Sequence, residues 1–403
     1  MPTARCDKPP SCDMINPIRV KVQFSLIFIA HALGAMSVLS VLTAGPQLVT
    51  ALGLTPLQLG GLASVYSAAL AAASLPAGLV TDRLGTRTAL SLAALIIASG
   101  LVVSATSQGV VQLGAGMALC GAGYGLINPA AGLAITLWFS PKWRTTLLSL
   151  KQTGVPAGAA LGSLTALLGQ VWGWQAGILC AAVIALLAGL LFLLLLPRGA
   201  LRHPPRTESG QNRLIEILAL PGLGRANLVA GLTNGVQFAL WAHIPDLLQR
   251  TYEAGAALLG LSLAALHLGT FAGRVAWGAL TDRHLRGNAA HALWWLCLMG
   301  LAGVAALGAS AVIAHPLPAV LACFLLGFTA CSAVGLHVAL TARIAPDYLL
   351  GGAMGYTMLF TNLGGIIVPL VLGLAISLAG MGGAALTFAV LLGLALALLV
   401  KFQ

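Results

Sequence analysis

The sequence predicts an all-α membrane protein, twelve transmembrane helices arranged as two pseudo-symmetric six-helix bundles. Three observations lead there. The first is composition: of 403 residues 59% are hydrophobic and 7% charged, whereas roughly a quarter of an ordinary soluble domain is charged. The second is an internal repeat. The stretch SLPAGLVTDRLGTR, Ser74 to Arg87, returns 200 residues later as RVAWGALTDRHLRG, Arg274 to Gly287, so that Gly78, Thr81, Asp82 and Arg83 are answered by Gly278, Thr281, Asp282 and Arg283. The third is the placement of basic residues: laid out on twelve spans, 19 of the 20 lysines and arginines fall on one side and Arg250 alone on the other.

A span needs about 20 apolar residues, and the chain supplies twelve such runs in order. The first half reads Val20 to Leu48, Leu57 to Val80, Thr88 to Ala105, Val110 to Trp138, Thr145 to Leu168 and Gly173 to Leu196. The second reads Leu223 to Leu248, Ala256 to Leu280, Ala290 to Val312, Leu317 to Ala342, Leu349 to Leu378 and Gly382 to Val400. Backbone groups in lipid must be satisfied within the segment, so these runs are expected to be helices. The organisation that follows is an N-terminal tail, residues 1–19, a first bundle at 20–196, a polar and Pro-rich linker at 197–222 ending in a short surface helix, and a second bundle at 223–403. The first apolar run is a full-length span, unlike the short core of a cleavable signal peptide.

The formal charge of +11 would suggest nucleic acid in a soluble chain. Here the one-sided placement gives it another meaning: by the positive-inside rule both termini and the central linker are cytoplasmic. Arginine outnumbers lysine 15 to 5, which suits a bacterial inner membrane. Seven cysteines, Cys6 and Cys12 in the tail and Cys120, Cys180, Cys297, Cys323 and Cys331 in apolar runs, show neither metal-ligand spacing nor a disulfide framework. No cofactor or metal is expected, nor a nucleic-acid partner, and the chain is expected to be monomeric in the bilayer.

The pattern Gly78-x-x-x-Asp82-Arg83-x-Gly85-x-Arg87 resembles the loop signature between the second and third helices of the major facilitator superfamily. Thr86 departs from it, because the family usually has a basic residue there. The second copy keeps Gly278, Asp282 and Arg283. The resemblance implies a secondary transporter built from a duplicated six-helix half, in which this loop acts as a conformational switch between two states. Gly78 and Gly278 are then expected to let helices approach closely, and Asp82 to accept from a helix N-terminus. The run Gly154-Val155-Pro156-Ala157-Gly158 with Gly162 resembles the Gly-Pro-rich motif of the family's exchangers. Gly114, Gly116, Gly121, Gly123 and Gly125 in the fourth span are likewise expected at close contacts. Trp241-Ala-His-Ile-Pro245 resembles the turn where the seventh helix of many members reaches the outer face.

Ionisable groups inside spans cost roughly 2.5 to 3.5 kcal/mol each on insertion scales, so each calls for an explanation. Lys151 lies about 10 Å along a helix from Arg144, and Arg274 about 12 Å from Asp282, so both approach the membrane midplane unless they snorkel to the interface. His267, Thr270 and Arg274 recur at helical spacing and are expected to share one polar stripe. No aspartate or glutamate lies deep in a span: Asp246 and Glu253 fall near a span end, and Asp82, Asp282 and Asp347 in loops. Two buried cations without carboxylates make a site for an anion, which an arginine can hold bidentately and a lysine as a point charge. Arg274 resembles the eighth-helix arginine of the family's nitrate and monocarboxylate carriers. Ser74 and Thr270, however, stand where those carriers have a second arginine or an aspartate.

Histidine binds and releases a proton near neutral pH, and His267, His31 and His337 are the candidates for proton coupling, with His243 nearer a span end. Neutral contacts are expected from Tyr124 and Asn128 in the fourth span, from Asn234, Gln237 and Trp241 in the seventh, and from Tyr66, Tyr356 and Asn362. The reading that follows is a transporter of a small organic or inorganic anion, driven by proton symport or anion exchange. Its rivals are an exporter of hydrophobic or cationic drugs by proton antiport and, from another class, a non-transporting membrane sensor or membrane enzyme.

Overall fold

The structure is a computed structural model that describes residues 17–139, 147, 150–197, 210–253, 255–313, 316–346 and 349–402. The rest of the tail, the loop with Lys142 and Arg144, the connection with Arg198, Arg202 and Arg206, and Asp347 lie outside the described residues. Among those described there are thirteen α-helices, two short 3-10 turns and no strand.

The helices are α1 (Pro17–Leu42), α2 (Gly45–Leu52), α3 (Pro56–Ala105), α4 (Val110–Trp138), α5 (Gly154–Trp172), α6 (Trp174–Leu195) and α7 (Gly210–Ala219). After them come α8 (Leu223–Tyr252), α9 (Ala256–Arg283), α10 (Ala289–Ile313), α11 (Pro316–Phe328), α12 (Val334–Ile344) and α13 (Leu350–Leu399). Ten segments are long and apolar enough to cross a membrane. The last, Ala353–Phe402, contains a reversal at Ala379 and Gly380 and so counts as two spans. The less apolar α8, which carries Asn227, Thr233, Asn234, Gln237 and His243, completes twelve.

Local chemistry explains where the helices begin and turn. At the start of α3 the Thr55 side chain accepts from Gln58 N–H while Gln58 reaches back to Thr55 N–H, and Pro56 occupies the first helical position, where no donor is missed. At 50 residues α3 is more than twice the length a bilayer needs, and it reverses at Gly85, with φ 77° and ψ 159°. A Cβ would be strained at that φ, which is why the signature has glycine there. In the second copy the positive-φ positions lie one and two residues further on, at Arg286 and Gly287.

Three spans differ from the sequence-based expectation. The first stops at Leu42 instead of Leu48: the chain turns at Thr43-Ala44, and Pro46 opens a separate short helix. The fifth is interrupted by a turn at Gln152-Thr153, after which α5 starts at Gly154. The tenth, expected unbroken from Leu317 to Ala342, is split at Thr329 by a 3-10 turn over Ala330–Ser332. Polar backbone at this depth is tolerated because protein satisfies it. Trp277 Nε1–H donates to Phe328 O at 3.0 Å, and Ser332 Oγ–H donates to Gly327 O at 2.9 Å.

Helices α1 to α6 pack on one another, as do α8 to α13. Most of the expected glycine contacts are real. A Cβ at Gly154, Gly158 or Gly162 of α5 would collide with Phe28, Ala32 or Met36 backbone of α1. One at Gly116, Gly121, Gly123 or Gly125 of α4 would collide with one arm or the other of α3. Gly114 and Gly278 are exceptions, with open space where a Cβ would stand, so neither serves close packing. The packing of Gly78 and the side chains of Asp82 and Asp282 are not described, while Arg83 and Arg283 are exposed.

The two halves meet chiefly through α3 with α13 and α5 with α9. Gly60 and Gly373 seat α3 against α13 so closely that a Cβ at either would strike the Pro369 or Pro56 carbonyl, and Ser64 Oγ–H donates to Ile366 O at 2.5 Å. Tyr66 lies against Phe238, ring centroids 6.3 Å apart. These contacts close the end of the molecule that carries Gly53, Gly173 and Gly380. Arg83, Arg87, Arg283, Arg286 and Arg343 sit at the opposite end, called the basic end below.

Candidate functional site

The break before α5 creates the site. Pro156 has no N–H, so the carbonyl of Gln152, four residues earlier, lacks its α-helical donor. It accepts from Val155 N–H at 3.2 Å, and from the other half of the molecule Arg274 Nη1–H donates to it at 2.8 Å. Arg274 Nε is buried and has no protein acceptor. Beside Gln152, Lys151 is 5% exposed, and its Nζ donates to Asn128 Oδ1 of α4 at 3.3 Å. His31 Nε2 of α1 lies 3.0 Å from the same oxygen. The Tyr124 ring stands edge-on to His31, centroids 6.3 Å apart. It fills the space left by Gly34, whose carbonyl accepts from Tyr66 O–H at 2.9 Å. Tyr124 is also within electrostatic reach of Arg274. His31, Tyr124, Asn128 and Lys151 from one half and Arg274 from the other therefore converge at the seam.

The other sequence candidates lie elsewhere. His267 faces the seam, but nearer the closed end, where Nε2 is 2.9 Å from Ser163 Oγ of α5 and Ser163 Oγ is 3.1 Å from Thr43 Oγ1. Thr270, three residues on, keeps its hydroxyl on Leu266 O in its own helix, and its carbonyl accepts from Ser332 Oγ–H beside the tenth-span break, so the side chains of the expected stripe that bond across the seam are His267 and Arg274. His337 pairs with Thr233 Oγ1 at 2.7 Å inside the second half. His243 meets the Pro369 carbonyl at 3.0 Å, next to Gly60.

Asn234 Nδ2–H donates to Thr361 O at 2.8 Å, and Gln237 is buried on α8. Trp241 packs on Phe238 with its indole N–H unpartnered. Tyr356 meets Phe360 edge-on, and Asn362 is half-buried on α13. Among the described residues the Arg250 to Asp246 pair, at 2.7 Å, is the one ion pair, and no group of three or more His, Cys, Asp or Glu could hold a metal ion.

Sequence reading missed Gln152 and Ser163. Gln152 acts through its backbone, and the one signal for it is the proline four residues on. Ser163 directly follows the glycine stripe of α5, where it reads as one more small packing residue.

A model of the Major Facilitator Superfamily matches residues 27–333. The chain belongs to the major facilitator superfamily. It is thus a multi-pass membrane protein of that superfamily. An uncharacterized MFS-type transporter of Mycobacterium tuberculosis (strain H37Rv) is 30% identical over 162 residues, 40% of this chain and 35% of the relative. A protein of Escherichia coli (strain K12) named "Probable L-galactonate transporter" is 25% identical over 288 residues, 66% of this chain and 62% of the relative. The chain thus spans about a third and under two thirds of these relatives' lengths. Among solved structures, a bacterial homolog of the human lysosomal transporter Spinster, inward-facing and unoccupied, has a TM-score of 0.73 at 17% identity over 96% of this chain and 95% of that one. A point mutant of the nucleoside transporter NupG also has a TM-score of 0.73, at 12% identity over 94% and 98%. At these identities the likeness is one of fold.

Proposed function

We propose that this superfamily member carries a small organic or inorganic anion across a bacterial inner membrane by alternating access. The observation that carries the reading is the convergence of Arg274 and Lys151 on one turn of α5, with a buried Arg274 N–H left without a protein acceptor. The carboxylates whose side chains are described, Glu216, Asp246 and Glu253, are on α7 and at the far end of α8. A bound carboxylate or oxyanion would supply the missing charge and accept from the free N–H. The name of the Escherichia coli relative, a galactonate transporter, agrees with an anionic substrate.

The two halves, 20–196 and 223–403, rock about the site, with the basic end and both termini in the cytoplasm. In this state the contacts of Gly60, Ser64, Gly373 and His267 close the outer end. Arg274 is held by the Gln152 carbonyl. An arriving anion competes for that guanidinium and loosens a tie between the halves.

The test is a thermal-shift screen of the purified protein with galactonate, lactate, nitrate, sulfate and cationic dyes. A ligand that binds the folded state alone raises stability by about 2.7 kcal/mol at a hundredfold excess over its Kd. At least one anion should raise the melting temperature, Arg274→Lys should weaken its binding, and Arg274→Ala should cost about 2 to 5 kcal/mol. A shift with cationic dyes and with none of the anions overturns the reading in favour of a drug exporter.

A further inference from the structure

The anion reading leaves the coupled ion open, and the geometry around Lys151 addresses it. Its ammonium is buried and makes one long hydrogen bond, to an amide oxygen that His31 also claims. Among the described residues the titratable and charged groups around it are His31 on α1, Tyr124 on α4 and, one residue away through Gln152, Arg274 on α9. None of these is a carboxylate. The charge on Lys151 is therefore disfavoured by burial when no anion is near and favoured when an anion lies beside it.

We propose that Lys151 is the coupling-proton site, protonated with the anion bound and deprotonated as the anion leaves, so that a monovalent anion and one proton cross together without net charge. This rests on the anion reading above. On loading at the outer face the Lys151 amine forms an N–H bond with a proton taken from water; on the cytoplasmic side, after the anion departs, that N–H breaks and the proton returns to water. Arg274 cannot take this part, because a guanidinium does not deprotonate in proteins. The other histidines are held away from the anion: His267 by Ser163, His337 by Thr233 and His243 by the Pro369 carbonyl. Asn128 positions the amine and keeps an acceptor in place when the ammonium forms.

The experiment counts protons taken up per anion bound, by calorimetry of the full-length protein in buffers of different ionisation enthalpy. The probe is whichever of galactonate, lactate, nitrate and sulfate shifts the melting temperature most. The wild type should take up close to one proton. Lys151→Arg keeps the charge but cannot release it, so it should bind the anion, take up no proton, and in proteoliposomes exchange anion for anion without accumulating it under a pH gradient. His31→Gln should retain proton uptake. If Lys151→Arg does not fold, Lys151→Gln serves: it should lose the pH dependence of anion affinity that the wild-type lysine confers. Anion binding by the wild type without proton uptake, or uptake that survives in Lys151→Arg, or uptake lost in His31→Gln alone, overturns the proposal and leaves the anion reading standing. Failure of every anion to bind removes both.

Discussion

Ser163 is the residue whose loss should most directly shift the balance between the two states. Its hydroxyl is 2.9 Å from His267 Nε2 of the other half and 3.1 Å from Thr43 Oγ1 of its own. Ser163→Ala removes the bridge and leaves α5 otherwise unchanged, since alanine suits a helix. A hydrogen bond between membrane helices averages about 0.6 kcal/mol and reaches about 1.7, and each 1.4 kcal/mol is about tenfold in an equilibrium. The substitution should therefore shift the equilibrium toward the state open at this end by about threefold to about 16-fold. Spin labels on cysteines at Thr50 and Gln249 report it. Both line a recess of ≈ 440 Å³ that crosses the seam at the closed end, with Gln47 and Gln170 beside them. Pulsed electron-electron resonance should show the long-distance component growing in the alanine variant. A distance distribution identical to that of the wild type would show that apolar contacts alone set the closure and that the Ser163 to His267 bond contributes nothing to it.

Two further outcomes follow from packing and from histidine placement. Gly158→Val should lower stability by about 1 to 3 kcal/mol or more, because a Cβ there overlaps the Ala32 backbone of α1, while Gly278→Ala, facing open space, should leave the melting temperature within experimental error; equal shifts in the two variants would contradict the α1 to α5 contact. His337→Gln should preserve pH-gradient-driven accumulation, because His337 is held by Thr233 within one half; its loss in flux assays, with folding intact, would return the coupling proton to that histidine.

Much of the architecture was legible because its causes are local. A run of apolar residues long enough for a bilayer must be helical, the repeat from Arg274 to Gly287 reveals the duplication, and Gly85 marks a reversal that needs a positive φ. The breaks were less legible. Pro46 and Pro156 are local signals and could have been used, but the interruption at Thr329 depends on Trp277 and Ser332 accommodating the freed backbone.

By itself, the sequence determined which groups are costly in the membrane, Lys151, Arg274 and the histidines, and that no acidic residue lies deep in a span beside them. It could not say which face of a helix meets which neighbour. In water an amphipathic stripe marks the core face, but in lipid the exposed and packed faces are both apolar and the periodicity that assigns faces is largely absent. So spacing groups Thr270 with Arg274, four residues apart, but only tertiary structure shows that the Thr270 carbonyl meets Ser332 of its own half while the Arg274 guanidinium crosses the seam. That His31 and Lys151, 120 positions apart, share the Asn128 oxygen, and that a proline-freed carbonyl holds Arg274, follow from helix register between distant segments. Register is fixed where glycines let backbones touch, and only the folded chain brings those surfaces together.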